Sequence, residues 1–516
     1  MSRLGFLGID AGTQGLSVLL VDESMRVVAT ADAPYAMVAG LGEGCYEQQP
    51  ADWERALAAA MAQLWRDVQR TTAGDWSIRA IGVSGQMHGE VLCNAEGEPL
   101  GPARLWCDGR NEAEGEELTE LLGVKMPKRI TAARWLWTLR HRPDLARQTI
   151  HLTTPAGWLA YRLTGAWNLG IGDASGMFPI DQSTLDYSAR GLEQFDQLTA
   201  SANAKRLRDL LPRVRRAGEE GGVLNEAGAR LLGLATGIPV APAEGDQPAA
   251  LAGSLIGDAG MVSMSFGTSV CANSVGDRSF QGVHRAIDHF CAVDGKPINM
   301  VFLRNGTTFM NTIVGMFGLA LGGDREAGFA SVMPQLLSAP ADCGGLLALP
   351  FMDDEPGLGI HRGGSAMLMG LNEGNATPGN AAKAALLATI FNLKMGSDVL
   401  EQQGFPRREI VLSGGLTRTP PLGQIVADVF GTPVSILESG SEGTAWGAAL
   451  LAHFRWRRMV ATDDWSDWLR SLRGESSHRF VPQRDRGYEA VYHQYKHLLQ
   501  AHGSSGWPID PRDDRR

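Results

Sequence analysis

A short glycine–threonine pattern occurs twice in the chain, about half the chain apart, and it is the strongest constraint on the fold. Gly12-Thr13-Gln14 recurs as Gly267-Thr268-Ser269. Each copy lies between two short apolar runs, and such runs around a glycine turn are typical of a β-hairpin. Two equivalent hairpins in a chain of 516 residues predict a duplicated lobe, with a boundary near residue 255.

Strands and helices alternate along the rest of the chain. Apolar residues recur every three or four positions from Trp53 to Val68, as on the buried face of a helix, and the apolar run 78–84 follows as a strand. Alternation of this kind predicts the α/β class. We expect three parts, at roughly 100–200 residues for a typical domain: 1–254, 255–455, and a C-terminal helical tail, 456–516, with a polar end.

Composition and charge exclude some classes of partner. The net charge is −10, and 44% of the residues are hydrophobic. An acidic surface argues against broad contact with nucleic acid or with an anionic membrane. No apolar run approaches the ~20 residues of a membrane helix, the N-terminus has no signal-type segment, and the six cysteines are scattered without CxxC spacing. We therefore expect a cytoplasmic protein with reduced thiols.

The two glycine–threonine turns have the chemistry of phosphate-binding loops. Glycine lets the backbone approach a phosphate closely, and successive N–H groups of the loop can bind an anion. In the first loop, Gly12, Thr13 and Gln14 are the candidate phosphate contacts, and Asp10 at the preceding strand end can hold Mg²⁺ through water. The alternative is a simple hairpin turn, in which Asp and Gly are also common.

The second loop, Gly267-Thr268-Ser269, offers the same donors from the other half of the chain. Two loops acting on one polyphosphate explain why both are present. Gly414-Gly415 follows the strand-like run 409–413 and lets an adenine ring lie flat against the backbone. For this pair, too, a tight turn between a strand and a helix is the alternative.

Asp246 is the candidate catalytic residue. It follows Gly245 and precedes Pro248, a residue suited to the start of a helix. A helix N-terminus favours an ionised carboxylate, and an ionised Asp in a cleft can accept a proton from a hydroxyl group that attacks ATP. The alternative is an Asp that only caps the helix.

Two further motifs offer polar groups to a sugar. Gln86, Met87 and His88 follow the strand at 78–84, and ligands commonly bind at strand ends in α/β sheets. Gln86 and His88 can bond hydroxyl groups while Met87 packs on the carbon skeleton. Asp108 and Arg110 can bind a polyol or form a local ion pair.

Together these residues resemble the FGGY carbohydrate kinases, and within them the xylulokinases. Six features match in order over about residues 4–452, and they are Gly8-Ile9-Asp10-x-Gly12-Thr13, Gly85-Gln86-Met87-His88-Gly89, Trp106-x-Asp108-Gly109-Arg110, Gly245-Asp246-Gln247, Ser265-x-Gly267-Thr268-Ser269 and Ser413-Gly414-Gly415. The resemblance implies two actin-like (ribonuclease H-type) lobes with ATP and sugar in the cleft between them.

The resemblance also implies roles for individual residues. Asp246 matches the catalytic base, and Asp10 matches the acidic residue at the first phosphate loop, with Mg²⁺ beside these two carboxylates. Met87 and His88 match the pair that contacts the sugar. The implied reaction is phosphorylation of the primary hydroxyl group of a ketopentose, with D-xylulose and its 5-phosphate as the favoured pair, and formation of ADP. Relatives of this kind are commonly homodimers.

Three stretches depart from the xylulokinase pattern. Arg134 stands where a Lys is usual, residues 349–356 replace a Gly-Glu-Arg-x-Pro segment, and residues 305–308 are unfamiliar. We interpret these departures as bearing on the sugar and not on ATP. Open alternatives are a kinase for another ketose or polyol such as ribulose, a weakly active sugar sensor, and a non-kinase actin-type ATPase that acts as a switch.

Overall fold

A computed structural model describes residues 3–71, 75–437, 443–473, 478–483 and 486–504. The first half of the chain contains fifteen strands among the described residues: β1 (Arg3–Ala11), β2 (Gly15–Asp22), β3 (Val27–Pro34), β4 (Glu47–Gln48), β5 (Trp76–Gly85), β6 (Val91–Cys93), β7 (Ala103–Arg104), β8 (His151–Thr153), β9 (Asn168–Gly170), β10 (Ile180–Asp181), β11 (Asp186–Tyr187), β12 (Arg213–Arg215), β13 (Gly222–Val223), β14 (Pro239–Val240) and β15 (Glu244–Gly245). Its α-helices are α1 (Pro50–Thr71), α2 (Glu112–Leu122), α3 (Thr131–His141), α4 (Pro143–Gln148), α5 (Pro155–Thr164), α6 (Ile171–Met177), α7 (Ala189–Leu198), α8 (Leu207–Leu210), α9 (Glu226–Leu232) and α10 (Asp246–Gly253).

The second half of the chain contributes a further set of elements. Its strands are β16 (Met261–Phe266), β17 (Val270–Val275), β18 (Ile287–Cys291), β19 (Pro297–Leu303), β20 (Leu347–Leu349), β21 (Met367–Met369), β22 (Glu409–Gly414), β23 (Val434–Ile436) and β24 (His478–Phe480). Its α-helices are α11 (Thr308–Ala320), α12 (Arg325–Ser338), α13 (Pro378–Gln402), α14 (Leu422–Phe430), α15 (Gly443–Val460), α16 (Trp465–Leu472) and α17 (Tyr488–Ser504). The α/β prediction is confirmed.

Two large sheets share the strand arrangement around their hairpins, as the repeated hairpin predicts. The first has the order β13-β14-β5-β1-β2-β3, with β15 also paired to β5, and the second has the order β18-β19-β17-β16-β22-β23-β24. In each sheet a hairpin, β1–β2 or β16–β17, is antiparallel, and its first strand runs parallel to a later strand, β5 or β22. The glycine–threonine turns therefore occupy equivalent places in the two sheets.

Helix α1 covers the first sheet with the face that its sequence predicts. Trp53, Leu57 and Leu64 are fully buried, and Val68 is 4% exposed. At about 25 cal/mol per Å² of apolar surface, a buried stripe of this kind stabilises the helix more than its local propensity does.

Helix α15 comes late in the chain but lies on the first sheet. A Cβ on Gly8 would lie 2.0 Å from the carbonyl oxygen of Ala445, and a Cβ on Gly82 would lie 1.9 Å from that of Ala448. Strands β1 and β5 need glycine at these positions because the helix backbone rests directly on theirs. The start of α15 thereby reaches Asp10, near the end of β1.

The C-terminal part adds to the second sheet. Strand β24 pairs with β23, and α17 packs on α13, where the Tyr495 hydroxyl donates to Asn392 Oδ1 at 2.6 Å. The predicted polar end beyond residue 504 lies outside the described residues, and the division at residues 254 and 455 stays a prediction. Within the described ranges, no helix combines the length and the apolar character that crossing a membrane requires.

Candidate active site

Three neighbouring parallel strands end at the same edge of the first sheet. Strand β5 lies between β1 and β15, and Ser84 is in register with both Asp10 and Glu244. The segments that follow these strand ends carry Met87, His88 and Asp246. The structure therefore brings together residues from three distant parts of the chain, at the kind of sheet edge where α/β proteins bind ligands.

Asp10 is held on both oxygens by hydroxyl groups. Ser84 Oγ donates to its Oδ1 at 2.7 Å, and Thr444 Oγ1, at the start of α15, donates to its Oδ2. Burial raises the pKa of Asp10, although both hydroxyl groups act against that rise. Each carboxylate oxygen keeps a further lone pair, so Asp10 can still accept a hydrogen bond from a metal-bound water.

Asp246 is the first residue of α10, which therefore begins two residues before Pro248, the residue that the sequence marked as suited to a helix start. Pro248 is tolerated there because first-turn N–H groups have no partner inside the helix. Burial and the nearby Asp10 raise the pKa of Asp246 to about 7, although hydrogen bonds from the backbone N–H groups of Gln247 and Met87 act to lower it. The expectation that the helix N-terminus favours the ionised form is thus outweighed by burial. A pKa near 7 suits a general base at neutral pH.

Two buried carboxylates behind Asp246 escaped the sequence analysis. Glu244 accepts hydrogen bonds from the backbone N–H groups of Gly172 at 3.2 Å and Asp173 at 2.8 Å, and it thereby attaches α6 to β15. Asp173 accepts from Thr154 Oγ1 at 2.6 Å, and burial raises its pKa to about 8. Glu244 could have been found from its position directly before Gly245-Asp246. Asp173 had no such signal, because residues 165–235 show no clear periodicity.

His88 is partly buried and faces the same strand ends. Its Nδ1 lies 2.9 Å from the carbonyl oxygen of Gly176. Because a carbonyl only accepts, Nδ1 carries the proton and the neutral Nε2 is left as an acceptor. Burial and the Arg129 guanidinium lower the pKa of His88 to about 3, so the ring is neutral at physiological pH and can receive a hydrogen bond from a hydroxyl group.

Met87 and Gln86 support the site from inside the protein. Met87 is 3% exposed and packs against Gly245 and Gly176, where an added Cβ would collide with its side chain. Gln86 is fully buried, and its Nε2 donates to Gln48 Oε1 at 2.8 Å. Gln48 in turn donates to the carbonyl oxygen of Thr13 at 2.7 Å. Gln86 therefore supports the first phosphate loop.

Asp108 and Arg110 form the local ion pair that the sequence left open. Arg110 Nη2 lies 2.6 Å from Asp108 Oδ2 and 2.6 Å from Glu47 Oε1. Asp108, which is fully buried, also accepts the backbone N–H of Tyr46 at 2.9 Å. Both side chains are occupied within the first lobe, where they fix the segment around Glu47.

Arg134, the residue at the usual Lys position, is fully buried in α3. It donates to the carbonyl oxygens of Leu105 at 2.9 Å and Trp106 at 2.7 Å. Trp106 Nε1 donates to Thr13 Oγ1 at 3.0 Å. Arg134 thus stabilises the loop that contacts the first phosphate loop, while Gln14 at that loop is exposed.

The second phosphate loop opens onto a cavity of about 1200 Å³. Strand β16 is parallel to β22, and Phe266 is in register with Gly414, so both glycine motifs lie at one sheet edge. The cavity is lined by Phe266, Gly267, Thr268, Thr307, Met310, Asn311, Asp324, Arg325, Glu326, Phe329, Ala330, Met333, Pro334, Gly415, Leu416, Arg418, Thr419 and Leu422. Its size and mixed lining suit a nucleotide.

Comparison with known proteins decides the family. The model of the FGGY family of carbohydrate kinases matches with its N-terminal domain at residues 6–253 and with its C-terminal domain at residues 262–456. The chain belongs to the FGGY family of carbohydrate kinases. The xylulose kinase of Escherichia coli is 28% identical over 519 residues, an alignment that covers 96% of this chain and 98% of that protein. The chain is therefore a xylulokinase-like carbohydrate kinase with ATP as its co-substrate.

Solved structures of the family confirm the predicted fold of two actin-like lobes. The xylulose kinase of Rhodospirillum rubrum superposes with a TM-score of 0.82 at 23% identity, covering 96% of this chain and 99% of that one. The gluconate kinase of Lactobacillus acidophilus reaches the same TM-score at 18% identity, covering 98% and 99%. Relatives named for different acceptors are equally similar in fold, so the fold alone does not select the sugar.

Proposed function

We propose that this kinase transfers the γ-phosphoryl group of ATP to D-xylulose and forms D-xylulose 5-phosphate, with Asp246 as the general base. The observation that carries the proposal is the position of Asp246 beside Asp10 and His88 at one sheet edge, with a pKa raised to about 7. The similarity to the Escherichia coli xylulose kinase over nearly the whole chain favours D-xylulose among the acceptors.

In this mechanism, Asp246 accepts the proton of the attacking primary hydroxyl group. The hydroxyl oxygen bonds to the γ-phosphorus, the bond from that phosphorus to the β–γ bridging oxygen breaks, and ADP leaves. His88 Nε2 accepts a hydrogen bond from another sugar hydroxyl and orients the acceptor. Positioning of this kind supplies most of the catalysis in phosphoryl transfer.

Asp10 and Asp246 are the residues that would hold Mg²⁺. Among the described residues, no group of three or more His, Cys, Asp or Glu side chains forms a metal cage, and Mg²⁺ with a nucleotide needs only one or two carboxylates together with phosphates and water. The donor set therefore suits the ion. When bound, Mg²⁺ neutralises charge on the phosphate oxygens. The backbone of the two loops, at Gly12–Gln14 and Gly267–Ser269, binds the phosphates, and Gly414-Gly415 binds the adenine.

Replacing His88 by Asn tests the sugar contact. His88 has a positive φ of 62°, which Asn tolerates better than most residues do, so the backbone should be retained. We expect KM for D-xylulose to rise about tenfold, the effect of one lost hydrogen bond, while KM for ATP stays unchanged. His141→Asn, on the exposed side of α3, is the control. Equal changes in both KM values would contradict a sugar contact.

A panel of ketoses and polyols tests the acceptor. ADP formation is measured in a coupled assay with D-xylulose, D-ribulose, L-ribulose, glycerol and gluconate. We expect kcat/KM for D-xylulose to exceed that for each other acceptor at least about tenfold, because hydrogen-bonding sites discriminate strongly against misplaced hydroxyl groups. A higher kcat/KM for any other member would replace D-xylulose in the proposal and leave the kinase activity intact.

A further inference from the structure

Asn305 is tied to the segment 353–355 by a buried set of hydrogen bonds. Its Nδ2 donates to the carbonyl oxygens of Asp353 at 3.1 Å and Asp354 at 3.3 Å, and its Oδ1 accepts the backbone N–H of Asp353 at 2.9 Å. Glu355 Oε2 accepts both the backbone N–H of Asn305 at 3.0 Å and its side-chain amide at 3.1 Å. We call this set the Asn305–Glu355 cluster.

The cluster is enclosed and its polar groups are matched. Asn305 is 3% exposed and Glu355 is 2% exposed. Burying a carboxylate is costly unless hydrogen bonds compensate, and here two donors of Asn305 converge on one carboxylate oxygen. Such a satisfied network holds a single geometry.

The residues after Asn305 continue directly into the second phosphate loop. The backbone N–H of Gly306 donates to the carbonyl oxygen of Thr268 at 2.8 Å, and Thr307 donates to that of Gly267 through its N–H at 2.8 Å and its hydroxyl at 3.0 Å. A Cβ on Gly306 would lie 2.4 Å from the Gly267 oxygen. Residues 306–307 therefore hold the carbonyl groups of the loop.

Two of the sequence departures thus meet each other on the nucleotide side. Residues 305–308 and the segment 349–356 are joined by the cluster, and Thr307 lines the cavity together with Gly267 and Thr268. His88 and Asp246 project instead from the strand ends of the first sheet. This placement differs from the interpretation that these two departures bear on the sugar.

We infer that Asn305 and Glu355 are positioning residues for the nucleotide: they hold the second phosphate loop in the geometry that binds the phosphates of ATP. The inference rests on the proposed phosphate-binding role of Gly267–Ser269. When a loop is already ordered before its ligand binds, less of the binding free energy is lost to ordering it. Loss of the cluster therefore lowers the affinity for ATP and leaves the affinity for the sugar unchanged.

The test compares Glu355→Ala with Glu355→Gln. The Gln side chain keeps an oxygen that can accept the two Asn305 hydrogen bonds, whereas Ala removes it. We expect the Ala variant to raise KM for ATP, and the dissociation constant of ATP measured by calorimetry without sugar, about tenfold. KM for the sugar should stay within about twofold, and the Gln variant should restore most of the ATP affinity.

Arg304→Ala is the matched control. It removes the neighbouring ion pair with Asp354, whose two side chains are 43% and 37% exposed, and it should leave both KM values unchanged. If Glu355→Ala does not fold, Asn305→Ala is the second variant, since it leaves the backbone donor to Glu355 in place. It should likewise raise KM for ATP and leave KM for the sugar unchanged.

Three results would overturn the inference. They are a raised sugar KM with unchanged ATP affinity, a Gln variant as weak as the Ala variant, and folded variants of both residues that bind ATP normally. Because calorimetry measures ATP without an acceptor, failure of the inference is distinguishable from a wrong choice of sugar in the proposed function.

Discussion

Asp246→Asn should lower kcat by about 10²–10⁴-fold, the usual contribution of general-base catalysis. Asn has the same size and cannot accept the proton of the sugar hydroxyl. The measurement is sugar-dependent ADP formation in a coupled assay under saturating substrates. Near-normal turnover would exclude Asp246 as the base.

The Asp246→Asn variant should keep its fold, and its thermal stability checks the raised pKa of Asp246 independently of activity. The raised pKa of Asp246 means that the charged carboxylate costs stability above the unfolded pKa of about 3.9. That cost grows until the pH passes the folded value near 7. Asp246→Asn removes it, so its Tm at pH 8 should equal or exceed that of the wild type.

Asp173→Asn is the matched comparison for Asp246→Asn. Burial raises the pKa of Asp173 to about 8, so this group is mostly uncharged at pH 7, as Asn is. We expect kcat to fall by less than about tenfold, since Asp173 supports the site without accepting the substrate proton. Equal losses in the two variants would contradict the assignment of the base to Asp246.

Asp288→Ala should destabilise the protein by about 3–5 kcal/mol, as expected when one partner of a buried ion pair is removed. Asp288, on β18 of the second lobe, is 6% exposed. Lys125 Nζ lies 2.7 Å from its Oδ1, and Arg129 contacts its Oδ2. Both cations lie between α2 and α3 of the first lobe, so the variant leaves two charges without their partner across the lobes.

Urea unfolding measures this loss, and Asp258→Ala is the control. Asp258 pairs with Arg470 at 3.0 Å with side chains 44% and 59% exposed, and an exposed pair should cost less than about 1 kcal/mol. A loss for Asp288→Ala no larger than that of the control would contradict a stabilising contact between the lobes.

The pH dependence of stability follows from the same contact. Burial alone would raise the pKa of Asp288, but Arg129 and Lys125 outweigh it and hold the pKa far below its ordinary value. A lowered folded pKa stabilises the protein above the unfolded value of about 3.9, and that stability is lost as the pH falls further. The wild type should therefore lose its advantage over Asp288→Ala in urea as the pH drops below about 4.

Local patterns in the sequence were sufficient for the hairpins and for helix α1. A glycine turn between apolar runs and a three- to four-residue apolar spacing are short-range signals, and β1–β2, β16–β17 and α1 all have the predicted type. The order of the glycine, Asp and His motifs was likewise sufficient for the family. Pro248 did not locate the start of α10, because proline is tolerated throughout the first turn and the helix begins at Asp246.

Contacts between residues that lie far apart in the sequence could not be predicted from it. Thr444 bonds Asp10 across 434 positions of sequence, and Asp288 meets Arg129 across 159. Asp173 and Glu244 had no periodic pattern to mark them, because their importance comes from burial against other segments. No spacing rule predicts which hydroxyl or cation a folded chain will bring to a given carboxylate.

The α/β class, the duplicated hairpins, the family and the reaction class were all predictable from the sequence, since these depend on local patterns and on the order of motifs. Three features became visible only in the folded chain: the raised pKa of Asp246, the pairing of Asp108 with Arg110, and the contact of residues 305–308 with 349–356 beside the second phosphate loop. The physical reason is that burial and electrostatic interaction depend on distances in space. Those distances are set only when the two sheets and α15 pack together.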